Sequence, residues 1–374
     1  MAVPSVTFNN ADQPEFFKEL RSRVNQHFKE KNISKYANLS MVLKTTFMLS
    51  LYFVPYILML TGVFTSVSGV LVLWTIMGFG MAGIGLTIMH DANHGSYSRR
   101  KSINGALGFT LNFIGGYHIN WKIQHNVLHH TFTNIDGYDD DIDKPIMRYS
   151  PIQRRRWMYY FQVIYAPILY GMMTIYWFLS KDFEQLFRYD KMDLLEGQGV
   201  TLKKGLLIVA FHKLWYAILF IGLPMLLVPI PWYFIILGFV MMQVICGLIL
   251  ALIFQPAHVV EATEFYKPDA SGSVENNWAI HQMLTTSNYA NGSSIFSWFV
   301  GGLNNQIEHH LFPNICHVHY RGISGIVKTT AEEYGLPYNQ HRTFFGALIS
   351  HFTLLNKLGT GKHDSDLALS LIHI

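Results

Sequence analysis

Long apolar stretches constrain this chain more than any other feature of its sequence. Five of them lie at residues 45–65, 68–89, 158–179, 205–228 and 232–254. Each approaches the roughly 20 residues that an α-helix needs to cross a bilayer. Half of the 374 residues are hydrophobic and only 14% are charged, whereas soluble domains average about 25% charged residues. These proportions predict an all-α integral membrane protein.

The distribution of basic residues predicts which stretches cross the membrane. Lysines and arginines flank the first pair of stretches but are missing from the turn inside it, so both flanks are expected to be cytosolic. If the other three all crossed, the polar segments around them would lie on opposite sides. The stretch 158–179 follows three arginines and is rich in tyrosine, which is typical of the membrane interface. Four transmembrane helices in two hairpins are therefore predicted.

The remaining segments are assigned by length and charge. The apolar pieces 106–116 and 295–303 are too short to cross and are expected to lie along the interface. Residues 1–42 are predicted to form a cytosolic segment, residues 43–360 one membrane domain, and residues 361–374 a disordered tail.

Cysteines and net charge exclude several classes of function. Cys246 lies in an apolar stretch and Cys316 in a polar one, so neither a structural disulfide nor a cysteine zinc motif is expected. The formal net charge is +4, and the basic residues lie beside apolar segments rather than in an arm. That pattern fits a membrane surface and argues against a nucleic-acid partner.

Seven of the eighteen histidines fall into three tight clusters, unlike histidines scattered through a core. Each cluster lies just past or between apolar stretches, on the side predicted to be cytosolic. The clusters are His90-Asp91-Ala92-Asn93-His94, His125-Asn126-Val127-Leu128-His129-His130 and Gln306-Ile307-Glu308-His309-His310.

The spacing within these clusters predicts metal binding. Residues four apart share one face of an α-helix, so His90 with His94, and His125 with His129, can each direct two imidazoles at one metal. Adjacent residues point about a third of a turn apart, so the two histidine doublets can each serve two metals. Seven imidazoles exceed what one ion accepts, and two ions are predicted. Imidazole suits iron, zinc, copper and nickel, so ligand type alone does not name the metal.

The three clusters resemble the histidine boxes of the membrane fatty acid desaturases in order and spacing, over about residues 89–320. Gln306 at the head of the third box, and the Leu311-Phe312-Pro313 after it, resemble the front-end branch. Members of that branch insert a double bond between an existing one and the carboxyl end. The resemblance implies four transmembrane helices, interfacial helices and a cytosolic cap that holds two non-haem irons. It also implies O2-dependent desaturation of a fatty acyl chain, carried by coenzyme A, a carrier protein or a lipid.

The same resemblance extends the predicted metal site. Family members use a further histidine at the end of the last spanning helix, and His258 fits that place. Gln306 replaces a histidine of other branches, and three roles stay open for it: weak ligand, partner of a metal-bound water, or shaping of the pocket. Many front-end enzymes carry a fused cytochrome b5 domain with an H-P-G-G motif, which does not occur in this sequence. A separate ferredoxin or cytochrome b5 is therefore expected to supply electrons.

Polar residues near the boxes are given supporting roles. Asp91 and Glu308 stand beside predicted ligands and are expected to orient them, because a metal-bound histidine usually donates its other N–H to a carboxylate or carbonyl. The acidic run 139–143 is expected to be a solvated loop. Four further histidines lie near the boxes but outside their patterns and are expected to be structural: His118, His281, His317 and His319.

Two alternatives to desaturation stay open at this stage. Hydroxylation of the acyl chain is the alternative on the same scaffold, since oxygen rebound to the same carbon radical gives an alcohol. A membrane metal transporter is the alternative from another class, but it would place polar residues inside the spans, whereas the clusters lie outside them. The expected location is the bacterial inner membrane, or the endoplasmic reticulum of a eukaryote, with the active site on the cytosolic face.

Overall fold

The computed structural model describes residues 6–363, so most of the predicted disordered tail lies outside the described residues. The described chain divides into two compact units. The first unit contains Tyr36–Ile123 and Ile168–Ala251, and the second contains residues 6–35, Gln124–Pro167 and residues 252–363.

Helices dominate both units. In chain order they are α1 (Glu15–Glu30), α2 (Leu39–Leu60), α3 (Val67–Asn93), α4 (Lys101–Gly108), α5 (118–132), α6 (Trp157–Lys191), α7 (Leu202–Leu227), α8 (Trp232–His258), α9 (Trp278–Thr285), α10 (Ser294–Phe299), α11 (Gln306–Leu311), α12 (Tyr320–Glu333) and α13 (Phe344–Thr360). Short π-helical segments interrupt four of these helices, at Ile84–Ile88, Lys122–His129, Trp177–Lys181 and Ile218–Gly222.

Five of the described helices, α2, α3, α6, α7 and α8, are long and apolar enough to cross a membrane. They correspond to the five apolar stretches of the sequence, which confirms a helical membrane protein. Helix α6, the stretch expected at the interface, meets the same criterion of length and composition as the others. The number of helices that span the bilayer therefore stays a prediction.

Polar side chains define where the membrane-length helices begin. The Asn38 side chain accepts a hydrogen bond from the Met41 amide at the start of α2, and Ser66 caps α3 in the same way. Thr201 accepts from the Lys204 amide and starts α7. Such N-caps satisfy amides that the first helical turn leaves without a partner.

Glycines allow close helix packing in the first unit. A Cβ on Gly80 of α3 would lie 2.6 Å from the backbone nitrogen of Tyr52 in α2. A Cβ on Gly247 of α8 would lie 2.6 Å from the carbonyl oxygens of Tyr170 and Gly171 in α6. Small residues at such crossings are typical of helices packed in a membrane.

The first unit also holds a charged pair beside an apolar helix. Lys213 of α7 forms an ion pair with Asp182 of α6. Its ammonium group also donates to the carbonyl oxygens of Gly115, at 2.6 Å, and Trp177, at 2.7 Å. These acceptors compensate for the burial of the charge.

The second unit has its own hydrophobic core, formed by four helices. Helix α1 packs against α12. The buried side chains come from α1 (Phe16, Leu20, Val24), α9 (Ala279, Ile280, Met283), α11 (Ile307, Leu311) and α12 (Ile323, Val327, Ala331). Helix α11, which carries the third histidine box, is therefore packed against residues of α9, which precedes it in the chain, and of α12, which follows it.

Short parallel strands connect distant segments of the second unit. Strand β1 (Thr7–Phe8) pairs with β2 (Ser273–Val274), and β3 (Asn288–Tyr289) pairs with β4 (Gln340–His341). The second pair joins the segment after α9 to the segment before α13.

Candidate metal centre

A π-helical turn arranges the second histidine box in the second unit. Residues 125–129 belong to the π-helical turn Lys122–His129, in which residues five apart approach each other. The Nε2 atom of His130 lies 3.3 Å from Nε2 of His125 and 2.9 Å from Nε2 of His309 in the third box. We call these three buried side chains the His130 group.

A second cluster, which we call the His129 group, comprises His129, His258 and His310. All three side chains are buried, and one ring nitrogen of each lies within 4.8 Å of the others. Their Nε2 atoms are buried and make no hydrogen bond to any described residue. The doublets of the second and third boxes are thus divided between two groups, as the sequence predicts. The rings of His125 and His129 stack with centroids 5.3 Å apart, as the pairing expected from the sequence requires, and the π-helical turn also brings His125 to His130.

The Nδ1 atoms of the His129 group are all held by protein acceptors. The Nδ1–H of His129 donates to both carboxylate oxygens of Asp139, at 3.0 and 3.1 Å. His310 donates to the side-chain oxygen of Gln282 at 2.7 Å, and His258 donates to the carbonyl of Thr285 at 3.4 Å. A proton on Nδ1 leaves Nε2 with a lone pair for a metal, the arrangement common to histidine metal sites.

The acidic run is part of this arrangement, so its assignment as a solvated loop was wrong for Asp139. The Asp139 side chain is fully buried and accepts hydrogen bonds from the backbone amides of Asn134 and Asp141, each at 2.9 Å. Asp141 lies 3.8 Å from the Nδ1 atoms of both His125 and His129. The loop folds back on the second box because the Asp139 carboxylate accepts hydrogen bonds from the His129 ring and from nearby backbone amides. Residue spacing alone does not reveal these contacts.

Burial and the carboxylate act in opposite directions on the ring of His129. Burial disfavours the charged ring, but the attraction of Asp139 outweighs it and raises the pKa of His129. The pKa of His310 lies well below its ordinary value because that ring is buried and surrounded by other histidines. A neutral imidazole is the form that binds metals.

The third box is held by a polar network around Glu308. This buried carboxylate accepts hydrogen bonds from the amide of Asn288, at 2.8 Å, and the hydroxyl of Tyr338, at 2.7 Å. Asn288 also accepts from the backbone amide of Ile307, at 3.0 Å. Burial raises the pKa of Glu308 to about 7. The contacts observed for Glu308 fix the backbone of α11 instead of orienting a histidine ring, the role expected from its sequence position.

Gln306 lies at the first position of α11 and is buried. Its side-chain oxygen makes no hydrogen bond to any described residue, and its side chain interacts with the ring of His258. The position of Gln306 beside the His129 group is compatible with each of the three roles left open by the sequence.

The first box lies in the first unit, at the end of α3. It follows the π-helical turn Ile84–Ile88 directly. The rings of His90 and His94 are 4.7 Å apart between centroids, and Trp121 packs edge-on against both, at 5.6 and 5.7 Å. Asp91 is buried, with a carboxylate oxygen 3.6 Å from Nδ1 of His90. The predicted pairing of the two rings on one helical face is present.

The His129 group fits a transition metal by its own chemistry. Three buried Nε2 atoms without a hydrogen-bond partner would be costly in a protein interior. A bound cation removes that cost, and imidazole nitrogen is a good ligand for divalent iron. The residues of this group are therefore those expected of a metal site.

Comparison with known proteins decides between the families that use such sites. The model of the fatty acid desaturase family matches residues 66–342. This chain belongs to the fatty acid desaturase family. The desaturase is 36% identical to the acyl-lipid (8-3)-desaturase of Physcomitrium patens, over 95% of this chain and 74% of that one. It is also 36% identical to the sn-1 linoleoyl-lipid 6-desaturase of Arthrospira platensis, over 92% of each chain. It is therefore a membrane oxidoreductase that desaturates fatty acyl chains.

Two residues support the desaturase site through contacts that their positions in the sequence do not predict. Asn134 has a positive φ of 56°, and its amide donates to the carbonyl oxygens of His258 at 2.9 Å and Glu264 at 3.0 Å. The Trp278 indole donates to the His130 carbonyl at 3.1 Å. Both residues tie the second box to segments more than a hundred residues away in sequence.

Three of the four histidines near the boxes, His118, His281 and His319, contact other side chains or the backbone. Buried His281 donates from Nε2 to the Thr133 carbonyl at 2.7 Å, and burial lowers its pKa to about 4. His118 contacts the side-chain oxygen of Asn112 through Nδ1 at 2.9 Å, and the ring of His319 packs edge-on against Phe28. These contacts agree with the structural roles expected for His281, His118 and His319. His317 is buried.

Proposed function

We propose that this desaturase acts on acyl lipids at a centre of two non-haem irons and inserts its double bond on the carboxyl side of an existing one. The observation that carries the metal part is the His129 group, whose buried Nε2 atoms make no hydrogen bond to any residue that the structure describes. The relatives in Physcomitrium patens and Arthrospira platensis are both named as enzymes of acyl lipids. Gln306 at the head of the third box supports the front-end assignment.

The proposed ligands are the seven box histidines and His258, with Gln306 as a weaker ninth ligand. In the second unit the two histidine groups supply six rings, and each group would hold one iron. The first box stays in the ligand set because of its sequence pattern and its paired rings. The eight histidines are His90, His94, His125, His129, His130, His258, His309 and His310.

Two bound irons would supply the redox chemistry that an unactivated methylene requires, since such a C–H bond has no acidity for a base to use. In the overall reaction, two hydrogens leave adjacent carbons and O2 is reduced to two waters. Two electrons come from the carbon pair and two from the donor, together with two protons from solvent. The protein holds the ligand rings in one protonation state through Asp139, Gln282 and the Thr285 carbonyl.

The location of the enzyme follows from the charge pattern of the sequence. We propose four spanning helices, α2, α3, α7 and α8, with α6 at the interface and the histidine boxes on the cytosolic side. A separate ferredoxin or cytochrome b5 on that side would supply the electrons.

Expression in a host that lacks polyunsaturated lipids tests this function. Cells supplied with defined unsaturated acids and a competent electron donor should accumulate a new fatty acid, detected by gas chromatography of the methyl esters. Its added double bond should lie between the carboxyl group and the existing one. A His129→Ala variant in the same host is the matched control. Unchanged lipids would contradict desaturation, and a hydroxy acid would indicate the hydroxylase alternative.

A further inference from the structure

Helix α13 is not one of the five membrane-length helices. It presents an apolar face on the surface of the second unit. Its inner face packs into the unit through Ala347, Leu354 and Leu358, which are buried. Its outer face carries Phe345 and Ile349, whose exposed fractions are 74% and 68%. Residues four apart lie on one side of a helix, so these two side chains form a continuous apolar strip.

A shallow depression runs along this strip. It has a volume of about 400 Å³ and is lined by Phe345, Leu348, Ile349, Phe352, Thr353 and Asn356. Lys357 is the only Asp, Glu, Lys or Arg residue in the helix, and it pairs with Glu261 at 2.7 Å. The outer face of α13 is therefore apolar over its first two turns, and its polar residues, Thr353 and Asn356, lie nearer its C-terminal end.

The neighbouring helix in the same unit shows the contrast. Helix α12 is also exposed on one side, but its outer side chains are charged or polar, among them Arg321, Lys328 and Glu332. A helix exposed to water usually has such a face. Helix α13 departs from this pattern, which indicates an apolar environment on its outer side.

Contacts at its C-terminal end tie α13 to the start of a membrane-length helix. The Gln162 side chain at the start of α6 donates to the Leu355 carbonyl at 2.7 Å. Arg155, just before α6, donates to the Thr360 carbonyl at 2.9 Å. The end of α13 thus lies where α6 begins, and the first residue of α6, Trp157, is 83% exposed.

The residues at this junction have the composition of a membrane interface. Arg154, Arg155 and Arg156 are exposed, and the exposed aromatic rings of Trp157 and Tyr160 follow them. Tryptophan and tyrosine concentrate at the headgroup level of bilayers, and clustered arginines attract anionic lipids.

We propose that α13 is a membrane-docking helix. Its Phe345–Ile349 strip lies in the boundary between headgroups and acyl chains, and Arg154–Arg156 contact anionic headgroups of the same leaflet. The second unit, which carries two histidine boxes, would then be attached to the leaflet by its own surface. This inference rests on the proposed membrane location of the enzyme.

Spin labels on single cysteines test the apolar strip in the full-length enzyme reconstituted in nanodiscs. Ile349→Cys probes the strip and Thr329→Cys on α12 is the matched control; both native cysteines are buried. The label at residue 349 should collide more often with lipid-soluble O2 than with a water-soluble nickel chelate, and the label at 329 should show the reverse. Equal nickel accessibility at both positions would overturn the proposal. Dipolar broadening between labels at 349 would overturn it too, since a second copy of the chain would then cover the strip.

The arginines are tested with the same label. In nanodiscs that contain an anionic lipid, Arg154→Glu combined with Arg156→Glu should move the label at 349 toward water, whereas Lys328→Glu on α12 should not. No shift in the arginine variant would overturn the headgroup assignment. Desaturation is measured on the same preparations. A water-exposed strip in an active enzyme would overturn this inference while leaving the proposed function intact.

Discussion

The two histidine groups of the second unit differ in how their rings are held. In the His129 group every Nδ1 atom has a protein acceptor, one of which is the carboxylate of Asp139, and no Nε2 atom makes a hydrogen bond to a described residue. In the His130 group, Nε2 of His130 lies 2.9 Å from Nε2 of His309 and 3.3 Å from Nε2 of His125. Nδ1 of His309 contacts the Tyr320 hydroxyl at 3.1 Å. The first group therefore has a carboxylate within hydrogen-bond distance of a ring nitrogen, whereas in the second the nearest carboxylate, Asp141, lies 3.8 Å from Nδ1 of His125 and the ring of His309 contacts a neutral hydroxyl.

This difference teaches that two metal sites built from the same residue type need not be equivalent. A carboxylate acceptor makes an imidazole a stronger donor to a metal than a hydroxyl or amide does. The iron proposed for the His129 group should accordingly bind more tightly and depend more on its supporting residues. Substitutions in the two groups test this expectation, and the largest effects come from the ligands themselves.

His129→Ala and His309→Ala each remove a proposed ligand of one group, and each should abolish desaturation because the proposed centre needs two irons. The measurement is product formation from whole cells by chromatography of methyl esters. His341→Gln, a half-buried histidine outside both groups, is the control and should stay active. Activity of either alanine variant close to that of the unmodified enzyme would remove that residue from the ligand set.

Asp139→Asn keeps the shape of the side chain but removes its charge. Loss of a carboxylate that supports a metal-bound histidine lowers metal affinity by roughly 10–100-fold. The affinity is measured by competition for iron with a chelator. Asp143→Asn, in the same acidic run but exposed, is the matched control and should leave the affinity unchanged. Equal effects of the two variants would contradict the support of His129 by Asp139.

Gln282→Leu removes the nearer acceptor of Nδ1 of His310, at 2.7 Å, and leaves the Thr133 hydroxyl at 3.3 Å, so the ring can more readily carry its proton on the nitrogen that should face the metal. We expect metal affinity to fall by about tenfold, near the lower end of effects from supporting residues. Gln282→Glu restores an acceptor and should recover most of the affinity. If the leucine and glutamate variants lose iron equally, Gln282 acts through packing and not through the His310 proton.

Acid should destabilise the scaffold independently of the metal groups. Burial lowers the pKa of His281 and of His351 to about 4, below the ordinary value of 6.5. Between pH 6.5 and 4 the unfolded chain binds protons that the folded chain does not, so stability falls as pH falls, by up to about 1.4 kcal/mol per pH unit for each residue. Thermal unfolding of His351→Gln in detergent, measured across this range, should depend less on pH than that of the unmodified enzyme. An unchanged pH dependence would show that His351 is protonated in the folded protein.

Tyr320→Phe should give the smallest effect, because it removes one neutral contact to His309 in the His130 group. A loss of metal affinity well below that of Asp139→Asn is expected in the same chelator assay. A loss as large as that of Asp139→Asn would show that the two groups depend equally on their supporting residues.

Much of the fold and part of the site could be predicted from sequence. Apolar length located α2, α3, α6, α7 and α8, and box spacing found the clustered histidines, because both signals are local in sequence. The roles of Asp139 and Gln282 were not found, because each acts through a contact that only the folded chain creates. The pairing of His125 with His130 was missed since the sequence does not reveal a π-helical turn.

The iron content of the purified enzyme tests most directly whether two histidine groups bind two irons. Elemental analysis of the unmodified protein should find two irons per chain, and His129→Ala should retain about one, held by the His130 group. An active enzyme with a single iron, or a His129→Ala variant that keeps both, would contradict the proposed division of the histidines.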